Sequence, residues 1–504
     1  MPFKGVSEIV PLERRYRLQK VLFLAIFVPL QRHYVRTYIK QEVKGKILSL
    51  KVDSSKKDGR PFFGVNIQFS KDGEIELRTL AVRELHVSQS AHNLKEEIMN
   101  ILDLYEINIG NLVSFTSDNG SNMLRAADLL RTEQEEQQNV IDEDQEDIDM
   151  TPGIKCAAHT LQLAIMDDSI KTEREVVNLF SQCRNVVKAL RTETYRKKLK
   201  KAHLSVPVLD QETRWNTSYA MLESLHNVKN FIEDEECVSD FDDDTWNNIK
   251  SVLESLEPTM VATKIFQGEQ LTLGDMFGCW LECKVKLRNV GSPLATKIVE
   301  AMKKREREKG GLDKVPPLFD HPGFAAAIFL DPRYFSILEE SEMMMKMTQS
   351  MLRERDSLRN LSCSSSNIDL TSQMNSYFRE TPRIKDRKTS IPKWWEERKI
   401  KYPELYEVAK VVHAIPATQV SVERLFSALS FVMHYLRSNL TGQMIEDLVL
   451  ILNNSHLVKE DILVLIEKDS PECDSDEEEN SGSISSVNVS SGSNSSTFLS
   501  SKYT

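Results

Sequence analysis

Asp53 and Asp118 are the two side chains of this 504-residue chain on which chemistry is most readily built. Each closes a segment that reads as a β-strand. Leu48, Leu50 and Val52 alternate with Ser49 and Lys51 before Asp53, and Leu112 to Ser117 runs directly into Asp118. If those two strands are neighbours, both carboxylates leave one edge of the sheet side by side. Hard carboxylate oxygens hold divalent cations, and a pair of such cations clamps the attacking and leaving oxygens of a phosphodiester. An aspartate at a strand end also serves as a turn former or helix cap, and the two residues alone leave both roles open. Cys156 and His159 have ligand-like spacing, but zinc takes four ligands. Cys279 and Cys283, one turn apart on a helix, read as core rather than as the missing pair, so no structural zinc is expected.

A sheet is needed to position the aspartates, and the neighbouring sequence predicts one. Val65, Ile67 and Phe69 alternate with Asn66 and Gln68, and Ile75 to Leu80 forms a third strand. Asp58-Gly59 and Asp72-Gly73 fall where two-residue hairpin turns belong. Leu94, Ile98, Ile101, Leu102 and Tyr105 then share one face of a helix. The order is three antiparallel strands, a helix, and a strand that pairs elsewhere, which predicts an α/β fold. From about Leu161 to Tyr406 the pattern is helical, broken at Pro207, at Pro316-Pro317 and in the Ser-rich stretch Ser357 to Arg379. Met444, Leu448, Ile451 and Leu452 share a face of a later helix. The longest apolar run, Val21 to Leu30, is too short for a membrane span and lacks a small-residue cleavage site; it reads as a buried segment, and no membrane partner is expected.

At 40% hydrophobic and 28% charged residues the chain is globular, which excludes collagen-like, purely coiled-coil and wholly disordered classes. Its seven scattered cysteines point to reduced thiols in the cytosol or nucleus. The net charge of -11 speaks against nucleic acid only until its distribution is seen. Thr132 to Met150 carries nine acids and no base, and Glu467 to Thr504 has a net charge of -6. Without these two segments the rest of the chain has a charge of +4, so DNA remains an allowed partner. The run Arg196 to Lys201 (RKKLKK) suits a nuclear-import signal, a phosphate-contacting strip or a solvated helix face equally well.

Taken in order, SFTSDNGSNML around Asp118, CAAHTLQLAI from Cys156, DQETRWNTSYAML around Trp215, AAAIFLDPRYF, WWEERKIKYP and IPATQVSVERLFSAL resemble the hAT superfamily of transposases and the host proteins derived from them, in particular the BED-finger, domesticated members. The resemblance runs from about Lys46 to Asn454. It implies a ribonuclease-H-like core interrupted by a large all-helical insertion, with a DDE triad of Asp53, Asp118 and Glu423 as catalytic and metal-binding residues for Mg²⁺ or Mn²⁺. It places Cys156 and His159 beside that site as DNA-binding residues, with His159 in reach of the phosphate backbone; a core cysteine with a hydrogen-bonded histidine is the alternative. It assigns Arg214 and Trp215 to a motif whose tryptophan stacks on a base flipped from DNA, an interaction worth roughly 1–3 kcal/mol per base. It makes the helix bearing Met444, Leu448, Ile451 and Leu452 part of a C-terminal dimerisation region, facing a partner subunit as well as the core.

The implied organisation is a helical N-terminal remnant (1–45), the first part of the core (46–165) with a flexible acidic loop at 131–150, a helical insertion (166–405) with a flexible stretch at 357–385, the end of the core with the dimerisation region (406–468), and a disordered acidic and Ser-rich tail (469–504). No C-x₂-C plus His pattern precedes Lys46, so the finger that usually reads transposon ends is not found there, and phosphate-mediated affinity without sequence specificity is expected. Two functions follow. One is a nuclear, transposase-derived protein that forms a homodimer or higher oligomer and binds DNA or chromatin. The other is an active DDE transposase. Neither calls for a small-molecule substrate.

Overall fold

The computed structural model describes residues 27–138, 150–211, 215–235, 241–308, 317–334, 370–380, 384, 386, 389–436 and 440–457. Helix α1 (Val28–Val43) leads into three strands, β1 (Leu48–Lys57), β2 (Arg60–Lys71) and β3 (Glu74–Glu84). Helix α2 (Ala91–Leu104), strand β4 (Leu112–Ser117), helix α3 (Ser121–Gln138) and the short β5 (Ile154–Lys155) complete the sheet layer. The helices that follow are α4 (Ala157–Met166), α5 (Arg174–Leu190), α6 (Glu193–Lys201), α7 (Trp215–His226), α8 (Lys229–Asp234), α9 (Asp243–Phe266), α10 (Leu273–Val290), α11 (Pro293–Arg307) and α12 (Pro322–Phe329). Last come α13 (Leu370–Glu380), α14 (Ile391–Glu396), α15 (Pro403–His413), α16 (Val420–Leu436) and α17 (Gly442–Asn453).

The strands lie in the order β3-β2-β1-β4-β5. β1–β2 and β2–β3 are antiparallel hairpins, whereas β1–β4 and β4–β5 are parallel, so the sheet is mixed. Both hairpins turn on the predicted Asp-Gly pairs: Asp58, Gly59, Asp72 and Gly73 all have positive φ, which matches the right-handed twist of the flanking strands. The β3 edge is not left bare. Gln270 donates to the Ile75 carbonyl and accepts from its N–H, and Asn454 does the same for Thr79. Side-chain amides thus occupy positions at which another strand would pair.

Two apolar clusters organise the described residues. One joins the sheet to α1, α2, α3, α16 and α17. The other gathers the helices from α4 to α15, together with Val113 and Ile154 of the sheet. Helix α1 packs on α17, and Arg32 with Asp447 and Arg36 with Glu446 pair across that contact at 3.0 and 2.9 Å. No helix of the described residues is long and apolar enough to cross a membrane.

Several expectations change. Of the apolar run at Val21 to Leu30, Val28 is buried but Leu30 is 59% exposed, because α1 turns only one face to the core; residues 21–26 lie outside the described residues. The acidic stretch expected to be a flexible loop from residue 131 is helical through Gln138. Buried Gln134 anchors it, donating to the carbonyls of Ile109 and Leu112 and accepting from Met150 N. Residues 139–149 lie outside the described residues, as do 357–369 of the stretch expected to be flexible. Within that stretch α13 is ordered by buried Gln373, Met374 and Tyr377. The tail beyond residue 457 also lies outside the described residues.

Candidate carboxylate site and nucleic-acid contacts

The parallel register pairs Lys51 with Thr116, so Asp53 and Asp118, two residues further along each chain, leave adjoining strands at the same edge. Asp118 starts the turn into α3, its Oδ1 accepting from Gly120 N at 3.0 Å. Asp53 Oδ1 accepts from Ser54 N at 2.8 Å. Glu423 arrives from a third direction, on the first turn of α16, which lies across β1 and β2. Gln419 stands between them: its Nε2 reaches Asp53 Oδ2 and Glu423 Oε1, each at 3.4 Å. Three acids separated by as much as 370 residues in sequence therefore share one neighbourhood.

The segment before α16 is held from several sides. Gln68 Nε2 donates to Ala414 O, Thr116 Oγ1 to Pro416 O, Ala157 N to Ala417 O, and Thr418 Oγ1 to Phe266 O. Gln419 N donates to the Cys156 sulfur at 3.5 Å, and so does His159 N. Sheet, α4 and α9 thus jointly fix where α16 begins.

The site's electrostatics are those of crowded acids. Burial, then the charge of Asp118 and next that of Glu423, push the Asp53 carboxyl up to about 7, against the opposing hydrogen bonds from Ser54 and Gln419. Lys51, two residues earlier on β1, is buried, and burial brings its ammonium down to about 8. Gln419 Oε1 and Asn119 Oδ1 are buried without a hydrogen-bond partner. Among the described residues no three His, Cys, Asp or Glu side chains are grouped as ligands of a single ion, so the carboxylates converge without closing on one point. Glu423 is exposed, with Gln419 Nε2 as its neighbour.

The other site residues named from the sequence fare differently. Cys156 is fully buried, and burial pushes its thiol up to about 12; its sulfur ties α4 to the start of α16. His159 is half-buried on the first turn of α4, next to Thr160, whose hydroxyl accepts from Asn119, the neighbour of Asp118. Trp215 is 1% exposed within the helical core, so it has no face to offer a base; the apolar contacts of α7 claim it. Arg214 lies outside the described residues. The motif around Trp215 is nonetheless structural: Asp210 Oδ2 accepts from Ser218 Oγ at 2.6 Å and Arg184 Nη2 at 2.8 Å, pinning α7 to α5. Cys279 and Cys283 are core residues. The basic run lies on the exposed helix α6, where Lys197 pairs with Glu193 and Lys198 with Glu235.

Comparison with known families matches residues 373–455 to the hAT family C-terminal dimerisation region and residues 154–256 to the ZBED1 RNase-like helical domain. These two matches support an hAT-derived, ZBED-like protein. Comparison with curated proteins finds no match. The hAT dimerisation region supports self-association and comprises most of α13 and all of α14 to α17. Within it, Leu448 and Ile451 are buried in the chain's own core, on a helix packed against β3 and α1. Met444 and Leu452 are half-buried against the same core. The residues missed by reading the sequence are Gln419 and Gly64. Gln419 was in view inside IPATQVSVERLF, but nothing in the sequence indicated that its amide would bridge two acids. Gly64 resembled an ordinary strand residue.

Proposed function

We propose that this hAT-derived chain is a nuclear protein that self-associates and binds DNA or chromatin without specific end recognition, on a ribonuclease-H-like sheet whose edge keeps the DDE acids. The observation that carries the non-processing reading is the burial of Trp215: the side chain assigned to a flipped base is a core residue here. Phosphate-mediated affinity requires no such platform. Titrating a fluorescent duplex of arbitrary sequence at low and high salt tests this. Binding should be sequence-independent and fall steeply with salt, and deletion of residues 139–149, an acidic segment that follows the helix after Asp118, should tighten it at low salt only. Absence of binding in both forms would overturn the DNA reading.

A second reading, metal-dependent DNA cleavage and strand transfer, is favoured by the convergence of Asp53, Asp118 and Glu423. Mg²⁺ or Mn²⁺ suits this donor set. The carboxylates and the unpartnered Gln419 oxygen are hard ligands, and a cation relieves the crowding that holds a proton on Asp53. Asp53, Asp118 and Glu423 would hold the ion, which when bound supplies Lewis-acid polarisation of a phosphodiester. Gln419 orients two of the three acids, and Cys156, through the backbone of Gln419, fixes the start of α16. Nicking of supercoiled plasmid in Mn²⁺, abolished by Asp118→Asn, would establish this reading; intact plasmid with bound protein would leave the first.

A further inference from the structure

We propose that Gly64 is a positioning residue for Glu423, setting the depth at which α16 seats on the sheet; the inference rests on the metal-site reading above. Gly64 faces Asp53 in the β1–β2 ladder. A Cβ at this position would stand 2.6 Å from Val422 Cγ1, 3.0 Å from Leu425 Cδ2 and 3.4 Å from Phe426 Cζ. Carbon atoms prefer about 3.5–4.0 Å, so the first contact alone requires a displacement of roughly 1 Å.

The backbone gives no other reason for a glycine. Gly64 is not among the residues with positive φ, and a glycine inside a strand weakens it unless something must come close. What comes close is the first turn of α16. Val422 and Leu425 are both fully buried, and Val422 is β-branched with little rotamer freedom, so neither side chain can easily swing clear. A methyl group on Gly64 must therefore lift the backbone that carries them. Glu423 follows Val422 directly, and Gln419 precedes it by less than one turn. The Gln419 contacts to Asp53 and Glu423 already lie at 3.4 Å, near the limit of a hydrogen bond, so a lift of this size breaks the link between the helix and β1.

The test is Mn²⁺ binding to the full chain at pH 8, read from the electron paramagnetic resonance signal of the free ion, with Asp118→Asn as the control that abolishes the site. Gly64→Ala should weaken binding about tenfold, the scale on which residues supporting metal ligands act. Gly64→Ala combined with Val422→Ala, which removes the obstructing methyls, should restore the wild-type value, and Val422→Ala alone should leave it unchanged. The double variant also keeps the test readable if Gly64→Ala alone folds poorly. Amide hydrogen exchange over residues 420–436 reads the seating without metal: faster in Gly64→Ala, restored in the double variant. Wild-type affinity in Gly64→Ala, or failure of Val422→Ala to rescue it, overturns the proposal. If the wild type binds no Mn²⁺ but the exchange pattern holds, the metal reading falls and the seating role of Gly64 stands. Unchanged exchange in Gly64→Ala removes that role whatever the metal does.

Discussion

Replacing Asp53 with asparagine should stabilise the metal-free protein at alkaline pH, although it removes a residue of the candidate active site. Burial and the neighbouring acids raise this carboxyl from 3.8 to about 7 in the folded chain. Between those values the folded chain keeps a proton that the unfolded chain has released, so stability falls as pH rises through that window and levels off above about 7. At 1.36 kcal/mol per pH unit, the whole span corresponds to about 4 kcal/mol, and the part lost between pH 5 and pH 8 to about 2–3 kcal/mol. Asparagine does not titrate and fits the existing hydrogen bonds. Its carbonyl can keep the bond from Ser54 N, and its amide can meet Gln419 turned to present its oxygen, at the cost of the long 3.4 Å contact from Gln419 to Glu423. Thermal and denaturant unfolding in chelator at pH 5 and pH 8 measure the effect. The advantage of Asp53→Asn should grow by about 2–3 kcal/mol from the lower to the higher pH, and added Mn²⁺ should cancel it by stabilising only the wild type. A variant that is destabilised equally at both pH values would show that Asp53 is not crowded by Asp118 and Glu423, and the electrostatic account of the site would be wrong.

Other consequences are simpler to check. Trp215→Ala should cost about 3–5 kcal/mol through loss of core packing; a variant that melts normally yet binds DNA more weakly would return Trp215 to the interface. Cys156, Cys183, Cys279 and Cys283 are buried, with thiols pushed up to about 12, and should resist maleimide at pH 8 until the chain unfolds. Buried His321 accepts from Gly323 N and bonds Pro152 O, and burial holds its imidazole down to about 4, so the folded chain refuses a proton that the unfolded chain takes up. Its contribution is complete above pH 6.5 and is lost as pH falls towards 4. His321→Asn should flatten the acid limb of the stability profile by at most about 3 kcal/mol.

The sheet was legible in the sequence because its strands alternate and both hairpins turn on Asp-Gly pairs that tolerate positive φ. The adjacency of Asp53 and Asp118 followed once β1 and β4 were placed side by side. The path of α3 through the acidic residues was not legible, because what extends it is the capture of three backbone groups by Gln134, all distant or across a gap in the chain. Composition likewise gave Ser357 to Arg379 the look of a linker, while Met374 and Tyr377 fasten part of it into the helical core. The burial of Cys156 and Trp215 was not legible for a shared reason: it depends on which helices surround a side chain, and a linear motif carries no record of them. Gly64 is the converse case, since a missing side chain acquires meaning only when Val422, far away in sequence, is laid against it.

The proposed metal reading requires that Asp53, Asp118 and Glu423 share one divalent-metal site, and iron-directed backbone cleavage tests it most directly. Fe²⁺ bound in place of Mg²⁺ or Mn²⁺, with ascorbate and peroxide, generates hydroxyl radicals that cut the chain close to the ion. The account predicts cleavage clustered near residues 53, 118 and 423, suppressed by excess Mg²⁺ and absent in Asp118→Asn. Cleavage confined to other segments, or unaffected by Asp118→Asn, would contradict it.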